Sequence, residues 1–240
     1  MPVVPGLAIT LAAGTPFFRI TDVSFRTAKT SHDKKVVNGQ GARKSRHGAR
    51  YSHPGVTTVY LAETLEVCFA ERMFYFHREA LTAMDRFHLT GVLPPFIQTF
   101  VLWEIVFTTA IPDVFELSPA NAAAMQVFPS LLVNPSQDYN HLKDGRAAIE
   151  HNGYSGLRAP SSRVKGGGNI VVLFNDHSGN VQSITPYTVE FRLVTASPPA
   201  LPFTNHATEV LEFTAGEVKL TGTPLGIATY ANWHRIEFHH

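Results

Sequence analysis

Residues Thr57 to Glu71 read TTVYLAETLEVCFAE, and the pattern changes halfway along. Thr57 to Ala62 is β-branched and apolar, which predicts a buried strand. Glu63-Thr64 then offers an N-cap, and a helix is expected from Leu65 to about Met84. Working outward, Phe17-Phe18-Arg19-Ile20 reads as a short strand after Gly14-Thr15-Pro16. FIQTFVLWEIVF, Phe96 to Phe107, reads as a long one, and a short helix is expected near Asp144 to His151. Asn169 to Phe174, NIVVLF, is apolar throughout, too short for a helix and preceded by glycines, so it is expected as a central strand. Tyr187 to Val194 alternates and is another.

A Pro-rich joint, Ser197 to Pro202, precedes a C-terminal part. There, Glu209 to Thr214 and Glu217 to Thr221 flank Ala215-Gly216 in the manner of a hairpin. Strands outnumber helices and do not alternate regularly with them. The expectation is an α+β fold with largely antiparallel sheets, organised as a main domain over residues 1–195 and a β extension over 196–240 packed on it.

The chain has 240 residues, 44% apolar and 16% charged, which suits a folded globular protein and excludes a disordered or fibrous one. A formal charge of +1 supplies no global field for nucleic acid or an anionic membrane, so neither is expected as a partner. The run from Arg26 to Arg50 is locally basic, opposed only by Asp33; it reads as a solvated loop or as a positive rim for an anionic small molecule. Cys68, the single cysteine, stands between Val67 and Phe69 and is expected buried and inert. One cysteine, no apolar run of roughly 18 residues and no positive segment before Arg19 point to the cytoplasm.

Chemistry concentrates at a few positions. Glu71 has Val67, Cys68, Phe74 and Tyr75 as its helical neighbours, and a carboxylate on an apolar face needs a donor or a cation. It reads either as an ion pair with Arg72 or Arg78, or as the edge of a pocket. Arg19, enclosed by Phe18 and Ile20, must pair its guanidinium with something, commonly a carboxylate or a phosphate. Tyr60 alone reads as a core aromatic, Arg50 as a loop arginine, and Ser161 as a turn-capping hydroxyl. The glycines before Asn169 lead into a strand and lack the GxxxxGK[ST] order, which excludes a P-loop. No G-x-S-x-G surrounds Ser161, so no acyl-transfer nucleophile is expected there. The twelve histidines show no metal-ligand spacing, and no metal is expected.

In series these segments resemble the RES domain, the toxin half of RES–Xre toxin–antitoxin pairs. FFRI is similar to its aromatic-Arg start and places Arg19. GARYSHPGVTTVYLAE is similar to G-x-R-W-N…VYxAE and places Arg50 and Tyr60. ETLEVCFAE is similar to the ExxxxAxxE helix start and places Glu71. GYSGLRAPSSR…GNIVVLF is similar to GxxGIxYPSxR…NxxLF and places Ser161 and Asn169. The chain departs from the pattern at Tyr51, where Trp is usual, at Ala159, in a longer basic loop, and beyond about residue 195.

The resemblance implies an ADP-ribosyltransferase-like fold, with two mainly antiparallel sheets flanking a cleft, and an enzyme acting on NAD⁺ as substrate. It implies cleavage of the nicotinamide–ribose bond, with Glu71, Arg50, Tyr60 and Ser161 as catalytic residues. NAD⁺ binding falls to Arg19, Arg50, Tyr51, Tyr60, Ser161 and Asn169. A cognate Xre-type antitoxin is the implied protein partner, and assembly with further copies of the chain stays open. The alternatives are transfer of ADP-ribose to phosphate or to a protein, and a non-catalytic module that holds a dinucleotide or a partner.

Overall fold

The computed structural model describes residues 7–22, 36–39, 49–72, 96–118, 121–125, 139–161, 168–193, 208–211, 216–222, 226–231 and 236–239. Its strands in the main part are β1 (Ala8–Leu11), β2 (Pro16–Asp22), β3 (Thr58–Ala62), β4 (Phe96–Phe107), β5 (Ile111–Glu116), β6 (Gly156–Pro160), β7 (Asn169–Phe174) and β8 (Val181–Leu193). They are followed by β9 (Thr208–Leu211), β10 (Gly216–Gly222), β11 (Gly226–Ala231) and β12 (Ile236–His239). Helix α1 occupies 65–72 among the described residues, and α2 spans Asn140–His151. The rest of the helix expected to Met84, and the basic loop up to Gly48 except for residues 36–39, lie outside the described residues.

Ten strands form one mixed sheet in the order β1-β5-β6-β7-β3-β2-β4-β8-β10-β11, and β12 pairs with β9 separately. The two cleft-flanking sheets expected from the sequence are therefore joined into one. The joint is narrow: β2 and β3 share the single pair Phe18↔Ala62, whereas β2 matches β4 along its whole length and β3 matches β7 likewise. In an antiparallel register of 18 + 62, the next rungs would be Arg19 with Leu61 and Ile20 with Tyr60. Those rungs are not made, and the strands part from Phe18 onward.

Both faces of the sheet are covered, which explains why its central strands carry unbroken apolar runs. Ile170, Val172 and Phe174 of β7 join one core with Val67 and Cys68 of α1 and Leu142 and Ile149 of α2. Val171 and Leu173 join a second core with Val59, Leu61, Trp103 and Ile105, closed over by Val36 and Val37. Among the described residues, only β5 and β6 pair in parallel. A parallel pair needs a long crossover, and α2 supplies it.

Helix α1 starts as the sequence predicts. The Val67 amide donates to Thr64 Oγ1 at 3.3 Å, and Cys68 N–H closes the first turn on the Thr64 carbonyl. The expected C-terminal hairpin does not form. β10 is flanked by β8 on one edge and β11 on the other. That leaves no edge for β9, which takes β12 instead.

Candidate active site

Where β2 and β3 part, the gap is a pocket of about 280 Å³. That is near the lower end for small-molecule sites, roughly 300–1,000 Å³. Phe18, Arg19 and Ile20 form one wall and Tyr60, Leu61 and Ala62 the other: the one rung that is made, Phe18↔Ala62, and the four residues beyond it whose pairs are missing. Helix α1 roofs the pocket with Cys68, Glu71 and Arg72. Ala49, Arg50 and Tyr139 close the remaining side.

Each charged group arrives by a different local device. Residues 49–52 form a tight turn, with Ala49 N–H donating to the Ser52 carbonyl at 2.9 Å and Ser52 N–H returning to Ala49 at 3.2 Å. Arg50 at its tip faces the pocket, with its guanidinium 5.2 Å from the Tyr51 ring centre. Tyr51 turns back and is fully buried. Its amide donates to the Tyr60 hydroxyl at 2.9 Å, and Ser52 Oγ lies 3.3 Å from the same oxygen. Burial pushes the Tyr60 hydroxyl up to about 12, so it stays protonated as a donor.

Arg19 is anchored from behind. One of its terminal nitrogens donates to the Val36 carbonyl at 2.6 Å. Burial pulls its guanidinium down to about 10, which still leaves it cationic at neutral pH. Cys68 is buried as expected; burial and then Glu71 push its thiol well up, so it is a wall and not a nucleophile.

Glu71 does not pair with Arg72, and Arg78, the other partner expected for it, lies outside the described residues. The buried Ser161 hydroxyl donates to Glu71 Oε1 at 2.6 Å. Ser161 is placed by one more hydrogen bond beyond the β6–β7 ladder, its N–H donating to the Gly168 carbonyl at 2.9 Å. Gly168 has φ +109°, and a Cβ there would sit 2.4 Å from the Val67 side chain. Only glycine lets the main chain at residue 168 lie so close to α1.

The structure thus brings Arg19, Arg50, Tyr60 and Glu71 around one cavity, with Ser161 behind Glu71. It does not bring Asn169 there. The Asn169 side-chain amide donates to Glu63 Oε2 at 3.0 Å, and Arg158 grips the same carboxylate with two nitrogens at 2.5 and 2.9 Å. Arg158 also reaches Glu116 at 2.6 Å. These contacts, the Glu63 hydrogen bond foremost, raise the Arg158 pKa.

Tyr51 supports Arg50 and Tyr60 from outside the lining. Sequence reasoning missed Arg72 as a pocket residue, and Tyr139 altogether. Arg72 reads in the sequence only as an ion-pair partner for Glu71, and Tyr139 stands just ahead of α2 with no motif around it. Among the described residues no cluster of metal-ligating side chains occurs, and no helix is long and apolar enough to cross a membrane.

A family model described as the RES domain matches residues 16–199. The chain belongs to the RES family. The match begins at β2 and runs past β8, so the pocket and all its described walls lie within the RES region. Among solved structures, the chain is similar to one in the crystal structure of the M. tuberculosis MbcT–MbcA toxin–antitoxin complex. Identity is 17% and the TM-score 0.49, with 74% of this chain and 86% of that one covered. No curated protein matches the chain.

Proposed function

We propose that this RES protein cleaves the nicotinamide–ribose bond of NAD⁺, as a toxin-like NAD⁺ glycohydrolase with an ADP-ribosyltransferase-like cleft. One observation carries the reading: Glu71, held by a short hydrogen bond from Ser161, is the one acid among the described residues lining a pocket that also presents three arginines and three aromatic rings. Breaking an N-glycosidic bond builds positive charge on the ribose, as in glycoside hydrolysis. A fixed carboxylate beside the ribose stabilises that charge, and fixed groups of this kind commonly contribute on the order of 10²–10³ in rate.

Glu71 holds the ribose and the attacking water, while Ser161 fixes the carboxylate and takes no covalent part. Arg19 and Arg50 grip the diphosphate through forked, charge-assisted hydrogen bonds. Tyr60 walls in the nicotinamide ring. The family's pairing with Xre-type antitoxins supports a protein partner that covers the pocket mouth, and a toxin that consumes NAD⁺ acts in the cytoplasm. Residues 1–195 form the NAD⁺-cleaving unit; β10 and β11 extend its sheet from β8 as part of a 196–240 extension.

The test is chromatography of NAD⁺ incubated with wild type, Glu71→Gln and Arg50→Ala. Nicotinamide and ADP-ribose released by wild type, and not by folded Glu71→Gln, support the proposal. A folded Glu71→Gln protein with full turnover overturns the role of Glu71. A phosphorylated ribose product or a labelled protein identifies a transferase instead.

A further inference from the structure

Arg72 lies closer to an aromatic ring than the other pocket arginine in such a contact, Arg50, which stands 5.2 Å from the Tyr51 ring centre. The Arg72 guanidinium carbon lies 4.2 Å from the Phe100 ring centre, a cation–π contact that fixes the plane of the group without using its N–H donors. Its ion partner is Asp22, at 3.5 Å. The Asp22 side chain is 66% exposed, so this pair is weak and screened by salt. The Arg72 Nε–H is buried with no hydrogen-bond partner among the described residues. A buried donor of this kind is costly unless something supplies an acceptor.

The register explains the placement. Asp22 and Phe100 are cross-strand partners on β2 and β4, at the end where β2 has parted furthest from β3. Arg72 overhangs that pair from α1 and lines the pocket at the same time. A pocket of about 280 Å³ suits the nicotinamide and its ribose, and leaves the charged middle of a dinucleotide to emerge along the wall.

We propose that Arg72, held flat on Phe100, is an anion-gripping residue of this pocket that releases Asp22 to take a phosphate oxygen of the bound dinucleotide, with Asp22 acting as a built-in competitor that weakens binding. The inference rests on the NAD⁺ reading above and deepens it, since it names the part of the substrate that the mouth recognises.

The experiment compares wild type, Arg72→Gln, Arg72→Lys, Asp22→Asn and the Arg72→Gln/Asp22→Asn double variant. KM and kcat are measured with NAD⁺, and the Kd of phosphate-free nicotinamide riboside is measured alongside. Loss of one charge-assisted contact should raise the KM of Arg72→Gln for NAD⁺ about tenfold at nearly unchanged kcat. Riboside affinity should stay unchanged, and Arg72→Lys should recover part of the loss. Asp22→Asn, an exposed change that leaves the fold intact, should lower KM about threefold, a gain that disappears in the double variant.

An unchanged KM in Arg72→Gln overturns the inference, as does an equal loss for the riboside or an Asp22→Asn variant no tighter than wild type. Any of these leaves NAD⁺ cleavage standing. A wild-type protein that neither binds nor cleaves NAD⁺ removes the reading beneath it instead.

Discussion

Glu63 and Glu71 bracket the first turns of α1, and their surroundings differ. Glu63 receives two nitrogens from Arg158 and one from Asn169, and Arg158 is further tied to Glu116. Both Glu63 oxygens are occupied by neighbours, so this carboxylate stitches β3, β6 and β7 together and has little left for a ligand. Glu71 receives one hydrogen bond, from Ser161, and fronts a cavity edged by Arg19, Arg50 and Arg72. The contrast separates a charge used for architecture from one kept for chemistry. Counting acids and arginines in the sequence cannot tell the two apart; counting their remaining hydrogen-bond capacity can.

The sharpest way to break this contrast is to remove each carboxylate's charge in turn. Glu71→Gln should lower NAD⁺ cleavage on the order of 10²–10³-fold at an unchanged Tm, measured by chromatography and thermal melts. Glu63→Gln should do the reverse, losing about 2 kcal/mol in urea unfolding while folded molecules keep their turnover. Equal stability losses in both variants would erase the distinction.

Gly168→Ala probes the contact that delivers Ser161 to Glu71. A positive φ and a Cβ meeting Val67 should together cost about 2 kcal/mol, with activity falling alongside. Ser161→Ala, which frees the carboxylate without moving the main chain, should reduce cleavage about tenfold. The smallest effect concerns alkaline pH. Arg19, lowered by burial to about 10, loses its charge well below the ordinary arginine range, so NAD⁺ affinity should decline as pH rises through about 10. Arg19→Gln should weaken binding at neutral pH and flatten that decline in a titration of Kd against pH.

What the sequence disclosed follows from burial. β3, β4 and β7 are legible because each is packed on both faces and is rich in apolar and β-branched residues. β1, β5 and β6 are short or interrupted by Pro112, Gly156 and Pro160, and they exist because neighbours pair with them. The extension misled for a similar reason. Ala215-Gly216 has turn chemistry, but β10 pairs with β8 and β11, and local propensity cannot rank those edges against β9.

At the site, Glu71 is legible because a carboxylate on an apolar helix face needs an explanation, and Arg19 because it interrupts an apolar strand. Asn169 sits at the position the family pattern favours, yet its amide is committed to Glu63. Arg72 escaped notice because Phe100, which gives it a fixed plane, is supplied by a strand remote in the chain.

The lone Phe18↔Ala62 rung has a consequence for how this cavity tolerates mutation. Much of its shape comes from main chain that stops pairing, and peptide groups are the same whatever side chain they bear. Substituting Ile20 would repaint the surface without closing the opening. A replacement that restored the absent β2–β3 hydrogen bonds would seal it while every acid and arginine remained in place.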